Sequence, residues 1–178
     1  VEWPKGTYDC ILADPPWQYR VYYKSDAAHG AAEAHYPTMK LDEIKALPVV
    51  DIAAKDCALF LWVTMPCLQE GLEVLKAWGF RYKTMAFTWV KLNRDGTPWF
   101  GLGHWTRGNP ELCLLGTRGK VKRIARNVPQ LIMSQRQEHS RKPKEQYERI
   151  ARLIEPKNPI ELFARRKERG WDVWGNEV

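Results

Sequence analysis

Cys10-Ile11-Leu12-Ala13-Asp14-Pro15-Pro16-Trp17 joins an apolar run to an acid, two prolines and an aromatic ring. The run reads as a buried strand, ended by the first proline, which cannot extend a sheet ladder. Asp14 then stands at the strand's carboxyl edge, where open α/β sheets place their ligands. The prolines fix φ and remove two backbone donors, so their carbonyls are expected to be acceptors without local N–H partners. Trp17 adds a flat π surface. An acid, a rigid carbonyl and a ring suit the grip of a planar heterocycle that bears an amino group. The plainer alternative is a surface turn backed by a core tryptophan.

Working outward, strand signals alternate with helix signals. Residues 18–37, with Tyr22, Tyr23, Gly30 and Pro37, read as a long binding loop. Thr38 is placed to cap a short helix over Leu41–Leu47. Ala58-Leu59-Phe60-Leu61-Trp62-Val63 is a strand covered on both faces. Pro66 opens a helix with Leu68, Leu72, Leu75 and Trp78 on its apolar side, ended by Gly79. Met85–Val90 is a further strand, residues 92–109 a second long loop, and Leu112–Leu115 a strand stopped by Gly116. Val128–Met133 is a candidate strand. Pro143 opens a helix carrying Tyr147, Ile150, Leu153 and Ile154, ended near Pro156. Ile160–Phe163 and Trp171–Trp174 follow as a central and an edge strand. Strands separated by helices predict an α/β fold, a mostly parallel sheet with helices on both faces, in one domain over residues 1–178.

The chain has 178 residues, long enough for a sizeable core, and is 44% hydrophobic and 28% charged, a soluble globular composition. No apolar run approaches the ~20 residues of a membrane span, and no signal-peptide layout is present, so a cytoplasmic protein without membrane partners is expected. The net charge of +7 favours polyanions. Arg118, Lys120, Lys122, Arg123 and Arg126 form one basic run, Arg136, Arg141, Lys142 and Lys144 a second, and Arg165, Arg166, Lys167 and Arg169 a third. Cys10, Cys57, Cys67 and Cys113 lack CxxC spacing and read as reduced core residues, and no histidine has a metal-ligand spacing.

Four further segments carry chemistry. In His35-Tyr36-Pro37-Thr38-Met39, Tyr36 either stacks on a base or staples the helix that follows. Gly103-His104-Trp105 precedes Asn109-Pro110-Glu111, where Asn109 and Glu111 stand near a strand start and could line a cleft; ordinary turn chemistry is the alternative, and the stronger one for Asn109. In His139-Ser140-Arg141-Lys142-Pro143, Ser140 resembles a helix N-cap and Lys142 sits at a helix start. Amides and a lysine there favour an anion or carboxylate, and the lysine is locally unfavourable unless something negative lies nearby. Last, Glu161-Leu162-Phe163-Ala164-Arg165 and Gly175-Asn176-Glu177 place an acid in a late strand and a small residue in the turn after it, which suits a nucleoside cofactor. GxGxxG and GxxxxGK[ST] are both absent.

These motifs, with Leu59-Phe60-Leu61-Trp62-Val63-Thr64 between them, occur in an order that resembles the adenine-N6 methyltransferase family typified by the catalytic subunit of the eukaryotic messenger-RNA adenosine methyltransferase. The resemblance covers residues 8 to 177. It implies a Rossmann-like fold that uses S-adenosylmethionine, with the catalytic strand early and the cofactor strand late. It implies catalytic roles for Asp14, Pro15, Pro16 and Trp17 and places Tyr36 and Glu111 beside the target adenosine, with His104, Trp105 and Asn109 as further substrate-binding candidates. It implies that Asp14, Lys142, Glu161, Phe163, Arg165, Asn176 and Glu177 meet the cofactor. The run Arg166-Lys167-Glu168 departs from the family pattern after Arg165.

The reading is an adenine-N6 methyltransferase acting on nucleic acid. DNA is favoured because the chain is compact, and RNA stays open. The alternatives are a non-catalytic partner subunit, against which the intact Asp-Pro-Pro-Trp speaks, and an enzyme for a small molecule or protein side chain, against which the basic runs speak. Sequence specificity would come from the two long loops, a partner subunit or a homodimer.

Overall fold

The computed structural model describes residues 1–18, 38–103, 105–136, 141–176 and 178. Within them the chain runs β1 (Tyr8–Ala13), α1 (Leu41–Lys45), α2 (Val49–Ile52), β2 (Ala53–Thr64), a 3-10 turn at Met65–Cys67, α3 (Leu68–Ala77), β3 (Arg81–Leu92), β4 (Glu111–Arg118), β5 (Leu131–Gln135), α4 (Glu145–Ile154), β6 (Pro159–Leu162) and β7 (Asp172–Trp174). The strands form one seven-stranded sheet in the order β5-β3-β4-β2-β1-β6-β7. No helix among the described residues is long and apolar enough to cross a membrane.

The two central apolar runs are buried on both faces, as their composition requires. From β1, Ile11 and Ala13 join Leu59, Leu61 and Val63 of β2 beneath Ile44 of α1 and Val74, Leu75 and Trp78 of α3. Cys10, Leu12, Phe60 and Trp62 point to the opposite face, where Tyr147 and Ile150 of α4 cover them. Helices therefore lie on both faces of the sheet, as expected. Trp62, Trp78 and Trp89 are fully buried, so much of the tryptophan content is core.

Strand direction sets the site. The β1–β2, β1–β6, β6–β7 and β3–β5 pairs are parallel, whereas β4 runs antiparallel to both β2 and β3. Its first residue, Glu111, is opposite Thr64 at the end of β2 and Trp89 near the end of β3. One edge of the sheet thus gathers the carboxyl ends of β1, β2, β3 and β6 together with the amino end of β4.

Several local expectations change. β4 does not stop at Gly116 but continues to Arg118; a Cβ at Gly116 would meet Leu75 Cδ1 at 2.9 Å, so this glycine makes room for α3. Thr38 is not the cap of α1. Lys40 holds that position, and its N–H donates to Glu43 Oε2 at 2.8 Å. Leu72 of α3 faces solvent, with Val74 buried in its place. The fifth strand begins three residues later than the candidate strand at Val128. Gly79 does end α3, in the left-handed region at φ 81°.

Gly71 lies inside α3, where glycine costs about 1 kcal/mol relative to alanine. A Cβ there would collide with Val63 Cγ1, a stiff β-branched side chain on β2. Overpacking costs about 1–3 kcal/mol and outweighs the propensity gain. Gly71→Ala is expected to lower the melting temperature, and Gly71→Ala/Val63→Ala to lower it less than Val63→Ala and Gly71→Ala summed. A Gly71→Ala protein more stable than the parent would contradict this packing.

Candidate active site

The turn after β1 is pinned on every side. Asp14 N–H reaches Leu162 O of β6 at 3.4 Å, Trp17 N–H donates to Pro15 O at 2.9 Å, and Met39 N–H donates to Pro16 O at 2.9 Å. The expectation of proline carbonyls without local partners is therefore corrected: each accepts one N–H. A carbonyl has two lone pairs, so each can take a second donor. Of the two readings of Trp17, a flat surface offered to a heterocycle and a core tryptophan, the structure shows the core one. Trp17 is 6% exposed, and its indole N–H donates to Trp62 O at 2.9 Å. Its apolar body is needed in the core, and the ring anchors the turn from below.

Asp14 is held by charge. Lys142, two residues ahead of the Lys144 that caps α4, extends its ammonium to Asp14 Oδ2 at 2.6 Å and to Glu111 Oε2 at 3.0 Å. Lys91, at the end of β3, meets Glu111 Oε1 at 2.5 Å. The negative partner that a lysine at a helix start needs is thus supplied by the protein itself, from the turn after β1 and from β4. Lys142 and Glu111 side chains are each 8% exposed, so their charges are stabilised chiefly by the ion pairs of this cluster rather than by water. Burial would lower Lys142, but the charges of Asp14 and Glu111 override it and hold the ammonium above its ordinary range. Burial would raise Glu111, yet Lys142 and Lys91 outweigh it and keep the carboxyl below its usual value. For Asp14, burial and the nearby Glu111 push the carboxyl up against the pull of Lys142.

Beside this cluster lies a shallow groove, partly open to solvent, lined by Asp14, Lys142, Tyr147, Glu161, Phe163 and Arg165. Glu161, in β6, is 9% exposed and accepts the Tyr147 hydroxyl on Oε2 at 2.7 Å. Burial pushes this carboxyl up to about 7. Arg166 lies over the Tyr147 ring, 5.1 Å from its centroid. The turn after β6 is strained at Phe163, whose φ is 61°. Phe163 packs edge-on against Trp174, which packs against Trp3. Gly175 lets β7 approach: a Cβ there would collide with Ala164 O, and Ala164 N–H donates to Trp174 O at 2.9 Å. Asn176 follows on the surface.

Of the residues singled out from sequence, the fold brings Asp14, Glu111, Lys142, Glu161, Phe163 and Arg165 to one sheet edge. Asn109 is not free to line the cleft. Its amide accepts Lys91 N–H at 2.9 Å and donates to Lys91 O at 3.0 Å and to Trp99 O, bracing the 93–108 loop against β3. Trp105 is 93% exposed on that loop. Tyr36, His104, Ser140 and Glu177 lie outside the described residues. The sequence reading missed Lys91, Gln146 and Tyr147 as site residues. Gln146 is a buried polar residue that accepts the Trp62 indole N–H at 2.8 Å. A lysine closing an apolar strand, and a glutamine beside the apolar face of α4, were the available signals.

The donor set fits S-adenosylmethionine. A buried carboxylate suits ribose hydroxyls or an ammonium, and the neighbouring guanidinium groups suit a carboxylate. Comparison with known proteins agrees. The MT-A70 family profile matches residues 8–177. The Type II methyltransferase M.MunI of Mycoplasma sp is 37% identical over 191 residues, covering 98% of this chain and 79% of that protein. An N(6)-adenosine-methyltransferase MT-A70-like protein of Arabidopsis thaliana is 33% identical, over 97% of this chain and 24% of its own length. The N(6)-adenosine-methyltransferase catalytic subunit METTL3 of Homo sapiens is 30% identical, over 97% and 28%. The chain thus spans most of the first and about a quarter of the other two. A family match along nearly the whole chain and an acid set at the sheet edge lead to one assignment: the chain belongs to the MT-A70 family.

Proposed function

We propose that this S-adenosylmethionine-dependent adenine-N6 methyltransferase acts on DNA, with Asp14 and the Pro15 carbonyl as the grip on the target amine. The observation that carries the reading is the Lys142–Asp14 contact of 2.6 Å at the rim of the groove. It fixes the carboxylate through Oδ2, and Oδ1 would accept an amine hydrogen. The Pro15 carbonyl, with its second lone pair, can accept the other. Together they favour a pyramidal nitrogen whose lone pair is withdrawn from the ring. S-adenosylmethionine, when bound, supplies an electrophilic methyl on a sulfonium that leaves as a neutral sulfide. Glu161 and Arg165, which line the groove, would hold the cofactor, and Asp14 or water would take the proton that the amine loses on methylation. Asp14 need not be a strong base. Its fixed position, and acceptors arranged in advance, supply the rate.

DNA is supported by two comparisons of degree. Identity and coverage are higher against the Type II methyltransferase than against proteins named for adenosine, the ribonucleoside. Lys120, Lys122, Arg123 and Arg126 are exposed and available to the phosphates of either polymer. In a duplex the base must leave the stack, at a cost of a few kcal/mol that a single strand avoids.

Tritiated methyl transfer to single-stranded DNA, duplex DNA, RNA and free nucleosides tests both parts. Label is expected on DNA adenine N6, and Asp14→Ala is expected to lose at least about 10²–10³ of the rate. Label on RNA alone overturns the choice of polymer, and an undiminished Asp14→Ala enzyme overturns the mechanism.

Glu161 gives a pH dependence. Its folded value is about 7 against an ordinary 4.5, so the folded state holds a proton that the unfolded chain has released between those values. Stability of the unliganded protein should therefore fall as pH rises from 4.5 to 7 and level off above. The cofactor's hydroxyls or cation need the ionised form, so affinity should rise over the upper part of that window, by up to about tenfold per pH unit. Glu161→Gln should flatten both profiles and bind more weakly. Calorimetric affinity that is constant for the parent from pH 5.5 to 7 would contradict a Glu161 contact.

A further inference from the structure

Lys91 lies outside the groove, yet it terminates a row of four charges that alternate in sign. Lys91 Nζ is 2.5 Å from Glu111 Oε1, Glu111 Oε2 is 3.0 Å from Lys142 Nζ, and Lys142 Nζ is 2.6 Å from Asp14 Oδ2. The outer end is fixed. The Lys91 ammonium sits 5.4 Å from the ring centroids of both Trp89 and Trp99, and Asn109 clamps the Lys91 backbone from both sides. Arg136 also lies over the Trp99 ring, 4.3 Å from its centroid.

Lys142 has two carboxylates within reach and one positive charge. Alone with it, Glu111 would draw the ammonium away from Asp14, and two buried carboxylates sharing one cation favour protonation of one of them. We propose that Lys91 is a positioning residue for methyl transfer: by neutralising Glu111 it releases the Lys142 ammonium to Asp14 and so fixes the Asp14 carboxylate where the amine arrives. This rests on Asp14 being the amine's acceptor. The groups that face Asp14 are Lys142 from the approach to α4, Glu111 and the Cys113 thiol from β4, Glu161 from β6 and Arg165 from the turn after it; Glu111 is faced by Lys142 and Lys91.

The test is kcat and KM against pH for the parent, Lys91→Gln, Lys91→Arg, Glu111→Gln and Lys91→Gln/Glu111→Gln. Lys91→Gln should lower kcat by about 10- to 100-fold with little change in the cofactor KM. It should also move the acid limb of the kcat profile to higher pH, because a positive charge near two carboxylates is gone. Lys91→Arg should restore most of kcat. Removing Glu111 as well removes the competitor, so the limb should return to the parent position or below. A limb that does not move in Lys91→Gln, or that stays displaced in the double variant, overturns the proposal. Should Lys91→Gln fail to fold, Glu111→Gln and the double variant decide: like profiles support action through Glu111, and a displaced limb on removing Lys91 from the Glu111→Gln background overturns it. An active Asp14→Asn enzyme would instead sink the acceptor reading, whatever Lys91 does.

Discussion

One buried ammonium organises this molecule. Lys142 stands between Asp14, 128 residues away in sequence, and Glu111. Breaking a buried pair by removing one partner typically costs about 3–5 kcal/mol, because the charge left behind has neither water nor a partner. The contact therefore ties the turn after β1, the start of β4 and the approach to α4 into one unit. The Glu111 side of it exists only because β4 is reversed within the sheet. Were β4 parallel to its neighbours, Glu111 would lie at the opposite edge and Lys142 would meet one carboxylate.

The Asp-Pro-Pro-Trp turn is rigid for reasons that differ residue by residue. Pro15 and Pro16 set φ, while their carbonyls are tied to Trp17 N–H and Met39 N–H. Trp17 is held from below by Trp62 O, and Trp62 is held in turn by Gln146 of α4. A path of buried hydrogen bonds thus links the turn after β1 to the helix that Lys142 leads into. Such a seat leaves the Asp14 carboxylate few ways to move, which is what a reaction governed by positioning requires.

Much of the fold could be read from sequence where burial dictates composition. β1 and β2 are apolar on both faces because α1 and α3 cover one side and α4 the other, and the run Ala58–Val63 records this directly. Gly79 marks the end of α3 because a left-handed residue is needed there. What escaped was set by tertiary contact. Gly116 looks like a stop, yet it is a strand residue that makes room for Leu75. The reversal of β4 leaves no local mark, since either direction satisfies the same apolar pattern. In the site, Asp14, Lys142 and Glu161 were legible as charges in places that water alone would not favour. Lys91 was not, because its partner Glu111 lies beyond a long loop. Trp17 and Asn109 carried aromatic and polar chemistry that pointed to a ligand, but the protein core and the Lys91 backbone take up both groups first.

Whether Lys142 and Asp14 act as one device is measured directly by a double-mutant cycle on single-turnover methyl transfer. Asp14→Asn, Lys142→Met and the double variant would be compared at saturating cofactor. Residues that act as a unit lose activity non-additively. The double variant is predicted to be no slower than Asp14→Asn alone. Losses that multiply would mean that Lys142 serves the reaction independently of Asp14, and would contradict the account.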